Sequence, residues 1–285
     1  MTDPLDTIAV LLSDQKGILA ADESKSTIEG RFREFGIEAT EENRRRYRQM
    51  LLTAPEIEKY ISGVILFDET IRQRTDEGQS FVELLVAHGI VPGIKVDKGT
   101  NPLPAANGER VTEGLDGLQE RLEEYRSLGA RFAKWRAVIS VGAHQPSAYA
   151  IDVNAHALAR YAAICQTVGL VPIVEPEVVM DGDHSIQATS DATEATLHSV
   201  FRALRDQRVV IENILLKPNM VLPGTSSGQK PTADEVAEAT RTCFRRAVPA
   251  VVPGIVFLSG GQNPQQATEN LNAMNRDSDR EPWPL

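Results

Sequence analysis

Cysteine is scarce in this chain: only Cys165 and Cys243 occur among 285 residues. Neither sits in a CxxC pair and both fall in amphipathic helical patterns, so they read as reduced thiols in or near the core of a cytosolic protein. Basic residues are also in short supply. Thirty Lys and Arg face 40 Asp and Glu, a net charge of -10. That balance argues against nucleic acid or an anionic membrane as the main partner. No apolar run approaches ~18 residues, so no membrane span is expected. Met1-Thr2-Asp3-Pro4 lacks the basic start of a secretory signal. GxGxxG and GxxxxGK[ST] are both absent, which disfavours a doubly wound nucleotide-binding sheet. The histidines, His88, His144, His156, His184 and His198, form no HxH or HExxH pair. His184 lies near a strand end, but Asp181-Gly182-Asp183-His184 reads as a turn. A catalytic zinc needs three clustered ligands, so metal-free chemistry is expected, with no cofactor.

What is present is an ordinary globular composition, 41% hydrophobic and 25% charged. The length suits one large α/β domain or two ordinary ones, and no linker or low-complexity segment divides residues 1–285. A short helix over Leu5 to Leu12 opens the pattern. Apolar strands follow at Gly17 to Ser24, Gly63 to Glu69, Val91 to Gly99, Phe132 to Ile139, Val171 to Val179, Ile214 to Leu222 and Gly254 to Gly261. Between them lie helices from Thr40 (with a solvated face of Arg44, Arg45, Arg46 and Arg48), Ser80 to His88, Leu115 to Leu128, Asn154 to Val168, Asp191 to Asp206, Thr232 to Arg246 and Pro264 to Asn275. Gly99 to Gly114 reads as a loop. Strands apolar on both faces, alternating with helices, predict a parallel α/β fold. Seven such units at this length suggest a TIM (β/α)₈-type barrel.

The polar residues collect at the C-terminal ends of these strands. They include Asp22, Asp68, Glu69, Lys95, Asp97, Lys134, Arg136, Glu175, Glu177, Lys217 and Ser259. Residues two apart on a strand share a face, so Lys134 pairs in direction with Arg136, Glu175 with Glu177, and Lys95 with Asp97. In a barrel those strand ends form the active-site mouth. Lys217 is the most unusual of them, a lysine inside Ile214-Leu215-Leu216-Lys217-Pro218-Asn219-Met220-Val221-Leu222. Taken alone it reads as a side chain snorkelling to solvent. Beside a second lysine and several carboxylates it reads as a nucleophile, because burial favours the neutral amine that attacks carbonyls. Ser259-Gly260-Gly261 closes the seventh strand with glycines that let backbone N–H groups approach an anion, and a phosphate is expected there.

These segments together resemble the class I fructose-bisphosphate aldolases, the Schiff-base, metal-independent family. The resemblance is carried by Leu215-Leu216-Lys217-Pro218-Asn219-Met220-Val221, Phe132-Ala133-Lys134-Trp135-Arg136, Ile173-Val174-Glu175-Pro176-Glu177, Gly93-Ile94-Lys95-Val96-Asp97-Lys98-Gly99, Leu19-Ala20-Ala21-Asp22-Glu23-Ser24 and Phe257-Leu258-Ser259-Gly260-Gly261-Gln262. It implies reversible retro-aldol cleavage of fructose 1,6-bisphosphate to dihydroxyacetone phosphate and glyceraldehyde 3-phosphate. It implies that Lys217 forms the imine, that Lys134 keeps it reactive, and that Glu175 serves as acid/base with Glu177 as its electrostatic partner. Asp22 would take the C4 hydroxyl proton. Ser259, Gly260 and Gly261 would meet one phosphate. Ser24, Thr27, Arg31, Lys95 and Arg136 would meet the other phosphate or the substrate hydroxyls. The resemblance further implies a cytoplasmic enzyme of glycolysis or gluconeogenesis, with a sugar phosphate as its small-molecule partner and a homotetrameric assembly. In the family, a Pro-Trp segment like Pro282-Trp283 leads into an eighth strand with a phosphate-binding arginine and then helices. Strand eight and the C-terminal helices are therefore expected to be missing here. Two competing readings follow: an impaired homologue acting as a binding or scaffold protein, and a lysine aldolase for another ketose phosphate.

Overall fold

The computed structural model of the chain describes residues 3–13, 16–276 and 281–285. Several of its helices begin where the sequence offers a side-chain oxygen for the free backbone N–H groups of a first turn. Thr40 caps α3 (Glu41–Leu52), Ser80 caps α5 (Phe81–Ala87) and Thr232 caps α9 (Ala233–Ala247). The last two are full capping boxes, with Glu83 and Glu235 reaching back to the cap. α1 (Pro4–Leu11), α6 (Leu118–Ser127) and α10 (Pro264–Asn275) lie within a residue or a few of their expected spans. α7 (Ala148–Val168) and α8 (Ile186–Asp206) start earlier than expected.

The residues fall into two compact units. The first comprises residues up to Val96, Leu118–Lys134 and Thr167–Val171. Here β1 (Gly17–Ala21), β2 (Ile61–Leu66), β3 (Val91–Lys95) and the start of β6 (Phe132–Ile139) pair in parallel, in that order. The register sets Ile94 opposite Ala133 and Lys95 opposite Lys134. Gly93 is required where β3 passes under Phe132, because a Cβ there would lie 2.2 Å from the phenyl ring. Two helices were not anticipated, α2 (Lys25–Glu34) and the single turn α4 (Asp68–Ile71). Asp68 and Glu69 therefore belong to a helix start and not to a strand end. α3 also departs from expectation, since its arginines do not form a solvated face. Arg48 is buried with Nη1 2.5 Å from Glu23 Oε2, and Arg44 makes a two-point contact with Glu69 at 2.8 and 2.5 Å. Only Arg46 of the four is well exposed.

The second unit comprises Asp97–Gly117, Trp135–Gln166 and the chain from Pro172 onward. It carries the rest of β6, then β7 (Val171–Val178) from Pro172 onward and β8 (Leu215–Leu216), again parallel. Trp135 is fully buried and stacks on Tyr161 of α7 at 5.6 Å between ring centres. α8 packs on α9, and α9 on α10. α9 turns Val236, Ala237, Thr240, Cys243, Phe244 and Ala247 inward at helical spacing. Both cysteines are buried free thiols, and burial pushes the Cys243 thiol up to about 12.

Three expectations for this unit need correction. The segment Gly99 to Gly114 holds an antiparallel pair, β4 (Thr100–Pro102) with β5 (Arg110–Thr112). The expected sixth strand is laddered over Leu215–Leu216 only. The expected seventh is reduced to one bridge, Ile255 to Leu216. Proline explains much of this shortening, because Pro176, Pro218 and Pro253 have no N–H to give a ladder.

Candidate active site

In the first unit, Asp22 directly follows β1 and Lys134 lies inside β6. Both are buried, and Lys134 Nζ is 2.6 Å from Asp22 Oδ2. A charge pair at this distance offsets part of the desolvation each group suffers. Lys95 ends β3 with its ammonium 6.0 Å from the centre of the Phe67 ring. Ser24 caps α2 by accepting from the Thr27 amide at 3.3 Å, and its hydroxyl lies 3.0 Å from that of Ser26 and 2.9 Å from that of Thr27. The start of this helix thus gathers three hydroxyls where backbone N–H groups favour an anion. Arg31, one side of the same helix, is ion-paired with Glu23.

In the second unit, Lys217 and Glu175 form the central pair. Lys217 Nζ donates to Glu175 Oε1 at 3.1 Å, and the two residues are 9% and 3% exposed. Glu177, next on the same face of β7, is ion-paired with Arg136. Burial works against the charge of Arg136, but the hydrogen bond and charge of Glu177, with Glu175 and Asp97, raise its pKa above the ordinary arginine value. Asp97 Oδ2 accepts from the Arg136 amide at 3.3 Å. Ser259, Gly260 and Gly261 form a turn, exposed at Ser259 and Gly261 and half-buried at Gly260, in which Gln262 N–H donates to the Ser259 carbonyl at 3.1 Å. Gly260 and Gly261 take φ of +60° and +90°, a conformation that suits glycine.

The structure therefore brings Lys134 to Asp22, Lys217 to Glu175, Arg136 to Glu177, and Ser24 to Thr27. Two neighbours, Glu23 and Asn219, escaped the sequence reading, and a third, His184, was read only as part of a turn. Glu23 fixes both Arg31 and Arg48. Asn219, 2% exposed, receives the Val178 amide. His184 is buried, and neither ring nitrogen has a hydrogen-bond partner among the described residues. Glu23 and Asn219 lie inside the quoted motifs, but only their contacts distinguish them. Among the described residues, no three His, Cys, Asp or Glu side chains gather as a metal-ligand group, and no helix is long and apolar enough to cross a membrane.

Residues 5–285 match the family model described as fructose-bisphosphate aldolase class-I. The chain belongs to the class-I fructose-bisphosphate aldolase family. It is 59% identical over 280 residues to the probable fructose-bisphosphate aldolase class 1 of Xylella fastidiosa, covering 98% of this chain and 84% of that protein. It is 52% identical to fructose-bisphosphate aldolase 4, cytosolic, of Arabidopsis thaliana, covering 95% of this chain and 69% of that protein. A solved structure of fructose-bisphosphate aldolase from Plasmodium falciparum, in complex with TRAP and a small-molecule inhibitor, superposes with a TM-score of 0.95. Its identity is 46%, over 98% of this chain and 81% of that one. These matches run through 98% of the chain and lend no support to the expected loss of an eighth strand and C-terminal helices. The aldolase is a lyase, cleaving fructose 1,6-bisphosphate reversibly to dihydroxyacetone phosphate and glyceraldehyde 3-phosphate through a lysine Schiff base.

Proposed function

We propose that Lys217 is the lysine that carries this reaction. The observation behind the reading is the buried approach of Lys217 Nζ to Glu175 Oε1 at 3.1 Å. The amine adds to the substrate ketone, and Glu175 moves the protons that turn the carbinolamine into an iminium and release water. The iminium is an electron sink. When Asp22 takes the C4 hydroxyl proton, the C3–C4 bond breaks, glyceraldehyde 3-phosphate leaves and the pair from the bond forms an enamine on Lys217. Protonation of the enamine and hydrolysis of the new iminium return the free lysine and dihydroxyacetone phosphate. Lys134 takes the role of supporting cation in this reaction, and Glu177 that of electrostatic partner to Glu175.

Ser259, Gly260 and Gly261 receive the phosphate nearest the ketone. Ser24, Thr27, Arg31, Lys95 and Arg136 serve the second phosphate or the hydroxyls, supported by the hydroxyl cluster at the start of α2. The strands belong to a TIM-type barrel forming one domain over residues 1–285. The enzyme works in the cytoplasm, without a metal or cofactor, as a homotetramer.

The test is to incubate the protein with fructose 1,6-bisphosphate and borohydride and map the adduct by mass. A hexose- or triose-phosphate adduct on Lys217 is expected. A folded sample with no adduct there, and no cleavage in the presence of EDTA, overturns the assignment.

A further inference from the structure

A regular parallel ladder cannot continue past Lys217. Ile173 lies opposite Leu215 and Val174 opposite Leu216. In step with this, the Lys217 amide donates to the Val174 carbonyl at 2.8 Å. The next bond of the register would run from the amide of residue 176 to the Lys217 carbonyl. Residue 176 is proline and has no N–H, and residue 218 across from it is proline too. The next bond that an amide of β7 would give in this register runs from Val178 to the backbone carbonyl of residue 219. The Val178 amide donates instead to the side-chain Oδ1 of Asn219, at 2.9 Å.

Every polar atom of that side chain is used. Asn219 Nδ2 donates to Thr193 Oγ1 of α8 at 3.3 Å and to the Met220 carbonyl at 3.0 Å. The residue is 2% exposed and Thr193 is 1% exposed, so these bonds are made out of water. Other side chains stitch the same irregular segment further along. Thr189 Oγ1 donates to the Leu222 carbonyl at 2.6 Å, and Thr240 Oγ1 accepts from the Val221 amide at 2.9 Å. Those two bonds lead to α8 and α9, whereas the Asn219 bond leads to the carboxylate strand.

We infer that Asn219 is a positioning residue for Lys217. Its side chain ties the backbone two residues past Lys217 to the backbone three residues past Glu175. It thereby holds the approach of Lys217 Nζ to Glu175 where two prolines have ended the ladder. The inference rests on the reading of Lys217 as the imine-forming lysine. A catalytic amine displaced by about 1 Å loses rate on the order of 10²-fold without losing its chemistry.

The experiment measures, in the full chain, the rate at which dihydroxyacetone phosphate and borohydride label Lys217, with the pH profile of kcat beside it. N219A is expected to slow labelling on the order of 10²-fold. Its kcat falls in step, KM stays near wild type and the pH profile moves, because the spacing of Lys217 and Glu175 sets proton transfer between them. N219D keeps an oxygen for the Val178 amide and recovers part of the rate. T240V removes an equally buried bond of the same segment. It is expected to lower the melting temperature while labelling rate and pH profile stay those of wild type. Folded N219A with wild-type labelling and profile overturns the inference, as does T240V slowing labelling as much as N219A. Should N219A fail to fold, N219L decides in its place: it keeps the side-chain volume but offers no oxygen to the Val178 amide, and wild-type labelling and pH profile in N219L overturn the inference. Wild-type protein that is never labelled at Lys217 overturns the site reading beneath it.

Discussion

Lys134 and Lys217 are both lysines buried against a carboxylate, yet different backbones hold them. Lys134 sits within the eight residues of β6, opposite Lys95, and its carbonyl accepts the Val96 amide at 3.0 Å. Lys217 follows a strand of two residues, and beyond it, besides the Leu258 amide given to the Pro218 carbonyl at 3.2 Å, the chain relies on side chains of Asn219, Thr189 and Thr240. A ladder fixes a side chain through many backbone bonds that no single substitution removes. A stitched segment depends on individual buried polar groups, each costly to leave unmatched. The ammonium–carboxylate distances follow this division, 2.6 Å for Lys134 with Asp22 and 3.1 Å for Lys217 with Glu175. The tight pair belongs to the regular strand and the looser one to the segment assigned the covalent chemistry.

The largest test of this contrast is catalytic. K217M is expected to reduce cleavage of fructose 1,6-bisphosphate on the order of 10⁴-fold, because it removes the proposed nucleophile. K134M removes the proposed supporting charge and should cost roughly 10²-fold in kcat. Equal losses in the two variants would break the distinction. Stability should run the other way for Lys134. K134M leaves the buried Asp22 carboxylate without its ammonium and is expected to lower unfolding free energy by about 3–5 kcal/mol, read from denaturant midpoints. A smaller step follows from the stitching. T189V strips the Leu222 carbonyl of a buried donor and should cost about 1–3 kcal/mol. A surface threonine changed the same way should cost within about 0.5 kcal/mol.

The smallest effect is a pH dependence in the loop beside β7. Burial lowers the pKa of His184, and the charge of Asp183 only partly restores it. Unfolded chains therefore bind the proton more readily than folded ones, so this contribution is complete above the ordinary histidine pKa and is lost as pH falls through it toward the folded value. Thermal midpoints of wild type should drop on acidification through about pH 6.5 more steeply than those of H184Q. Parallel curves would show that the loop holding His184 opposite Gly224 does not feel this ring.

Much of this was legible in the chain itself. The strand at Phe132–Ile139 appears as read, and the caps Thr40 and Thr232 stand where their hydroxyls precede acidic first turns. The strands of the Lys217 region were overread. A run of apolar residues reports burial on both faces, and Ile214 to Leu222 is buried throughout. It does not report whether the backbone finds a ladder there. The arginines of α3 were misread for the opposite reason. Helical spacing does not tell which polar residues face a buried carboxylate, and Glu23 and Glu69 lie far from them in sequence.

By itself the sequence determined the alternation of strands and helices, the family, and the residue types gathered at the strand ends. These follow from local periodicity, capping chemistry and motifs a few residues long. Only the tertiary structure decided which ammonium meets which carboxylate, and that Asn219 takes the bond the prolines forbid. Lys217 and Glu175 are 42 residues apart. Their meeting depends on register between strands, which no local pattern specifies.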